Sequence, residues 1–179
     1  MTANPVTPPW SGDTTPGQGP AATPKRRNKS KAIGTSVESA VVRYLQDNGW
    51  PSAERRSLKG IQDQGDVTGT PGICWEIKGG HAAENASDGQ ITAWLDETER
   101  ERVNARAGIG ILVVKRKGVS AANSGRWWAI LRIWQLSELY RNAGPLGQAD
   151  GFAPVRLHLA DAVTLLRAAG YGDQLGGAA

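Results

Sequence analysis

The stretch GDVTGTPGICWEIKGG, residues 65–80, decides how the rest of the chain is read. Two β-prone runs, DVTG and ICWEIK, flank TPG, a turn composition, so two strands joined by a turn are expected. Successive side chains on a strand alternate between faces. Ile73, Trp75 and Ile77 therefore share one face, which reads as core, and Cys74, Glu76 and Lys78 share the other. The second face sets a carboxylate beside an ammonium on a strand expected to be partly buried. Charges there cost several kcal/mol unless partners satisfy them. Asp66 lies one turn upstream, and in a hairpin its carboxylate approaches that of Glu76. The turn residues do not fix the register, and a bulge would shift it by one. Two converging carboxylates repel and one pKa rises. A divalent cation relieves that conflict, and oxygen donors suit Mg²⁺, with Mn²⁺ as a substitute. Such a site polarises a phosphodiester and acidifies a bound water, and Lys78 is placed to orient that water or stabilise developing charge. The plainer alternative is a surface hairpin in which Glu76 and Lys78 form a pair worth under ~1 kcal/mol.

Working outward, the order reads helix, strand, strand, strand, helix, strand, strand, helix, helix. In TSVESAVVRYLQDNGW, Val37, Val41, Tyr44 and Leu45 recur at helical spacing. Folding is expected to begin near Gly34, with Thr35 capping the helix and Gly49 ending it. AERRS (53–57) reads as a short strand, LKGIQDQG and GGHAAENASDG as loops. A helix is expected from Ser87 to about Arg106, with Ile91, Trp94, Leu95 and Thr98 on its buried face and Asp/Glu and Arg lacing the other. GIGILVVKR reads as a buried central strand. KGVSAANSG is a loop, WWAILRI a strand and WQLSELYRNAG a short helix. GPLGQADGF links to VRLHLADAVTLLRAAGYG, an extended piece followed by a helix. The class is α/β with a mixed sheet flanked by helices. The division expected is an arm over 1–31, a domain over 32–143, and a linker with a C-terminal helix packing on the core over 144–179.

The chain of 179 residues suffices for one ordinary core. Its net charge of +4 belongs to the arm, where Lys25, Arg26, Arg27, Lys29 and Lys31 face Asp13 alone. The arm reads as disordered, and its cluster serves either as a solubilising tail or as a nucleic-acid contact. Cys74 is the single cysteine, so an intrachain disulfide is excluded. No apolar run approaches the ~20 residues of a membrane span, and the N-terminus has no secretory pattern. A cytoplasmic protein without membrane partners is expected. His81 and His158 belong to no zinc spacing, and neither a phosphate-binding Gly-rich loop nor a GxGxxG after a strand is present.

The order of elements, with GDV and EIK separated by eight residues, resembles the PD-(D/E)xK nuclease superfamily over about Gly34 to Ile133. Gly65 replaces the proline usual before Asp66. Within the superfamily, GTSVESAVVRYLQDNGW with an early Glu38, followed by ERRS, is most similar to archaeal-type Holliday-junction resolvases and their phage relatives. The resemblance implies a restriction-endonuclease-like core and Mg²⁺-dependent hydrolysis of DNA in recombination, repair or phage DNA processing. It implies that Glu38, Asp66 and Glu76 gather the metal together with the Ile77 carbonyl, that Lys78 is the catalytic lysine, and that Gln90 lies near the site. It also implies a homodimer acting on a four-way junction. Glu38 and Gln90 each have a local alternative, since Thr35-x-x-Glu38 and Ser87-x-x-Gln90 both fit a capping box. Arg55, Arg56, Ser57 and Lys59 are expected DNA contacts, because their loop leads into Asp66. The alternatives are a restriction-, exo- or flap-type nuclease of the same superfamily, and a non-catalytic DNA-binding module with a nuclease fold.

Overall fold

A computed structural model describes residues 29–56, 63–139 and 153–173. Lys25, Arg26, Arg27, Ser57 and Lys59 lie outside the described residues. The chain is mixed α/β. Its centre is a four-stranded sheet in the order β3 (Ile73–Lys78), β4 (Ile109–Val114), β5 (Trp128–Arg132), β6 (Pro154–His158). β3 and β4 run parallel, and the other neighbours are antiparallel. The parallel pair needs a crossover, which α3 (Asp88–Asn104) supplies. β4, IGILVV, has partners on both sides and is buried at every residue, as its β-branched composition requires.

The alternation expected of ICWEIK holds. Ile73, Trp75 and Ile77 pack in one apolar cluster with Ile109, Ile111 and Val113 of β4. α1 (Lys29–Asp47) and α5 (Leu159–Ala168) cover that face, through Val37, Val41 and Leu45 and through Leu159, Ala162 and Leu166. On the opposite face, Ile91 and Leu95 of α3 pack on Leu112, Val114 and Ile130. Gly110 lets α3 come close: a Cβ there would lie 3.3 Å from the Arg102 side chain.

Four expectations are corrected. α1 begins at Lys29, not at Thr35, so Thr35 sits inside the helix, where its carbonyl accepts from Ser39 Oγ at 2.7 Å. The capping pattern fitted there because Ser, Thr and Glu also occur in helix interiors. The strand within AERRS shortens to β1 (Glu54–Arg55). It pairs with β2 (Val67–Thr68) in a ribbon of two strands beside the main sheet rather than within it. Residues read as loop contain α2 (Gly80–Glu84) and a 3-10 turn at Ala121–Arg126. The extended piece near the C-terminus is the edge strand β6. Gly49 ends α1 as expected, at φ +109°, with the Trp50 N–H returning to the Leu45 carbonyl at 3.0 Å. Between β5 and β6 lies α4 (Ile133–Leu139). Among the described residues no helix is long and apolar enough to cross a membrane.

Candidate metal and active site

β3 lies at the edge of the four-stranded sheet, so the N–H and C=O groups of Trp75 and Ile77 that point away from β4 need partners. Asp66 supplies two of them. Its N–H donates to the Trp75 carbonyl at 2.7 Å, and its Oδ2 accepts from the Ile77 N–H at 2.8 Å. A strand residue projects its N–H and C=O to the same edge, so the Ile77 carbonyl also faces the Asp66 side. The Asp66 carbonyl in turn accepts from the Arg56 N–H at 2.7 Å, which ties the β1–β2 ribbon to the site.

Gly65 makes this approach possible. Its φ is +86°, and a Cβ would lie 2.7 Å from the Trp75 carbonyl oxygen and 2.8 Å from Cys74 Sγ. Proline, locked near −65°, cannot adopt that conformation, so the departure from the resembled motif has a backbone cause. Gly65→Ala combines a left-handed penalty of about 1–2 kcal/mol with overpacking of about 1–3 kcal/mol. A loss of about 2–5 kcal/mol is expected in equilibrium urea unfolding. A change under ~1 kcal/mol would mean that the segment relaxes freely.

Glu76 and Lys78 project to the face that α3 covers. Lys78 Nζ lies 2.5 Å from Glu76 Oε1 and 2.9 Å from Glu97 Oε2, and 5.9 Å from the centre of the Trp94 ring. Glu76, Glu97 and Glu101 each bring one carboxylate oxygen within 4.8 Å of the other two. Glu101 is 2% exposed, and its Oε2 has no hydrogen-bond partner. A carboxylate so placed needs a cation or a proton.

The electrostatics follow. Asp66 is pushed up to about 7, first by burial and then by Glu76, with the Ile77 N–H working the other way and Glu38 adding to the rise. Glu76 is pushed up to about 8 by burial, against the pull of Lys78. Burial raises Glu101 to about 7, while a hydrogen bond from Glu76 lowers it. A proton held by Glu76 toward Glu101 raises the first and lowers the second, and burial is what raises both. Lys78 is held above its ordinary value: burial opposes the ammonium, but Glu76 and Glu97 outweigh it. Cys74 is pushed up to about 12, chiefly by burial, which keeps it a neutral packing residue.

The oxygen donors here fit a divalent ion, and the unpartnered Glu101 oxygen is the observation that says so. Lys78 is paired with Glu76, and Glu76 is near enough to raise the Asp66 pKa. But β2 pairs with β1 rather than with β3, so the expected hairpin ladder is absent. Among the described residues the carboxylates that cluster within 4.8 Å are Glu76, Glu97 and Glu101 rather than Glu38, Asp66 and Glu76. Glu38 is close enough to raise the Asp66 pKa, but its Oε2 is engaged by Arg55, at 2.8 Å from Nε and 2.6 Å from Nη2. Arg56 donates to Gln64 Oε1 at 3.1 Å, so both described arginines of the expected DNA-contact loop have partners within the protein. Gln90 is exposed. Its backbone N–H donates to the capping Ser87 Oγ at 3.3 Å, and it lies on the helix face of Trp94, Glu97 and Glu101, two turns upstream of Glu97. His81 is exposed on α2.

Glu97 and Glu101 were missed by the sequence reading. The available signal was Glu101, which continues the buried stripe of Ile91, Leu95 and Thr98 where an apolar side chain is the rule. A cleft of about 450 Å³ opens beside them, lined by Asp63, Glu97, Glu101 and Asn104 among others. The chain matches no protein-family model, no curated protein and no solved structure.

Proposed function

We propose that this protein is a divalent-metal-dependent DNA endonuclease of the PD-(D/E)xK type, acting on branched DNA in the manner of a Holliday-junction resolvase. The observation that carries the reading is Asp66 docked on the edge of β3 beside Glu76, with the Lys78 ammonium 2.5 Å from Glu76. The succession α1, β1, β2, β3, α3, β4, with β3 and β4 parallel, supports a restriction-endonuclease-like core.

Glu76 is common to two donor sets. One joins it to Asp66, Glu38 and the Ile77 carbonyl, as the resemblance implies. The other joins it to Glu97 and Glu101. Hard oxygen donors of this kind favour Mg²⁺, with Mn²⁺ able to replace it. A bound divalent ion would supply Lewis acidity toward a phosphodiester and acidify the attacking water. The protein's own share is to hold that ion with carboxylates and to present the Lys78 ammonium, which stabilises charge developing on the phosphate oxygens. Two symmetric cuts in a four-way junction call for two sites related by a twofold axis, hence a homodimer.

The test is incubation with a four-way junction, a linear duplex and a single strand, with Mg²⁺, with Mn²⁺ and with EDTA. Symmetric nicked duplexes from the junction alone, in the metal lanes alone, are expected. Cleavage of linear duplex or single strand would move the protein to another nuclease activity of the same type. No cleavage of any substrate with either ion would overturn the enzymatic reading and leave a DNA-binding module.

A further inference from the structure

A second cluster lies on the same face of the sheet as Lys78, at the opposite edge. The strand register sets Lys78 beside Val114, Val114 beside Trp128, and Trp128 beside His158. Directly paired residues project to the same face, so these four side chains form one row. It spans three strand spacings, about 14 Å. The adjacent row on that face runs Glu76, Leu112, Ile130, Arg156. Val114 and Lys78 are also tied through the chain, because the Lys115 N–H donates to the Lys78 carbonyl at 3.0 Å.

Next to the far end of the row the half-buried Trp128 organises three cationic or basic groups. The Arg116 guanidinium lies 4.5 Å from the centre of the ring and that of Arg156 lies 5.7 Å away. The His158 ring stacks on Trp128 at 5.2 Å with 14° between planes. Arg116 Nη1 is 3.2 Å from His158 Nε2. Among the described residues neither Arg116 nor Arg156 is paired with a carboxylate. Glu84 is paired with Lys115, and the exposed Asp161 lies 3.6 Å from His158, so one carboxylate borders the cluster through its histidine. Lys117 is exposed and donates to Asn85 Oδ1 at 3.3 Å.

Two guanidiniums gathered on one indole repel each other, and the ring offsets that cost. Each carries five N–H donors in a fork that matches phosphate oxygens. We infer that Trp128, Arg116, Arg156 and Lys117 form a contact surface for the DNA backbone, centred on Trp128, which lies two strand spacings, about 10 Å, from Lys78 along the row. The assignment of the DNA as substrate, and so of the grip as a positioning device for the cut, rests on the nuclease reading.

Binding is measured by anisotropy of a labelled four-way junction in EDTA, across a salt series, so that no cleavage enters the readout. For every phosphate that the protein ceases to neutralise, the slope of log K against log salt falls by roughly 0.9. Arg116→Gln with Arg156→Gln is expected to weaken binding at least tenfold and to reduce that slope by about 2. The Arg→Lys pair is expected to restore most of the slope, since it keeps the charges, while recovering only part of the affinity. The basic arm is the same in all three proteins, so the differences report this surface. Circular dichroism melts establish that the variants are folded. Unchanged affinity and slope in the folded double Gln variant would overturn the inference whether or not the wild type cuts DNA. A wild type that binds through this surface but never cuts would leave the inference standing while the nuclease reading falls.

Discussion

Glu76→Gln is expected to lose Mg²⁺-dependent cleavage and, at pH 8, to melt at a higher temperature than the wild type. The first effect rests on the nuclease reading, in which Glu76 belongs to both proposed donor sets. Removing a charged oxygen that would hold the ion would forfeit several kcal/mol of transition-state stabilisation, about 10³-fold or more in rate. The second follows from burial. Glu76 is 7% exposed and shares its surroundings with Glu97, Glu101 and the field of Asp66, against the one ammonium of Lys78. Its carboxyl is pushed up to about 8, so at pH 8 folding must either take up a proton that the unfolded chain has lost or bury a carboxylate charge. Gln reproduces the neutral form permanently, and its amide can donate to Glu101 where the carboxyl proton did. The expected gain is about 2 kcal/mol, or roughly 5 °C in Tm for a chain of this size. At pH 5 the wild-type group already carries its proton, and the two proteins should melt together. Melts at both pH values, read beside a cleavage assay, check the claim. Wild-type cleavage by the variant would remove Glu76 from the chemistry.

The metal-free wild type is expected to lose stability as pH rises from about 5 to about 8.5. Asp66, Glu76 and Glu101 are held at about 7, 8 and 7, all above the ordinary carboxylate range. The folded protein therefore binds more protons than the unfolded chain in this interval. Stability is fully present below the unfolded pKa values near 4 and is lost as pH climbs through the folded ones. With Glu76 and Glu101 sharing a proton, the total is of the order of a few kcal/mol rather than three separate contributions. A divalent ion competes with those protons. Added Mn²⁺ should raise Tm little at pH 5.5 and by several degrees at pH 8. Glu101→Gln should flatten both the pH dependence and the Mn²⁺ effect. Calorimetry in EDTA and in Mn²⁺ across this range is the measurement. Stability that rises with pH between 5 and 8 without metal would contradict the burial of these carboxylates.

The residues that the sequence made legible are those whose role is fixed by a local period. Alternation in ICWEIK assigned Trp75 to the core and Glu76 and Lys78 to the other face. The 3.6-residue spacing of Val37, Val41 and Leu45 found the buried side of α1. Where α1 begins was not legible, because Thr35-x-x-Glu38 fits a cap and a helix interior equally well; tertiary contact decides, and it sends Glu38 to Arg55. Glu97 and Glu101 were hidden for a different reason. Acidic residues on a helix usually face water, and only the crossing of α3 over β3 turns these two toward Lys78. The stacking of Arg116 and Arg156 on Trp128 depends on three strands meeting in register, which no single segment encodes.

The docking of Asp66 on the rim of β3 has a consequence for self-association. An uncovered rim invites a strand from another chain, and the amide of Ile77 would be among its first anchors. One oxygen of Asp66 occupies that amide. The side chain thus guards the sheet against fibril-like addition at this rim, and its loss would leave an open amide for a strand of another chain.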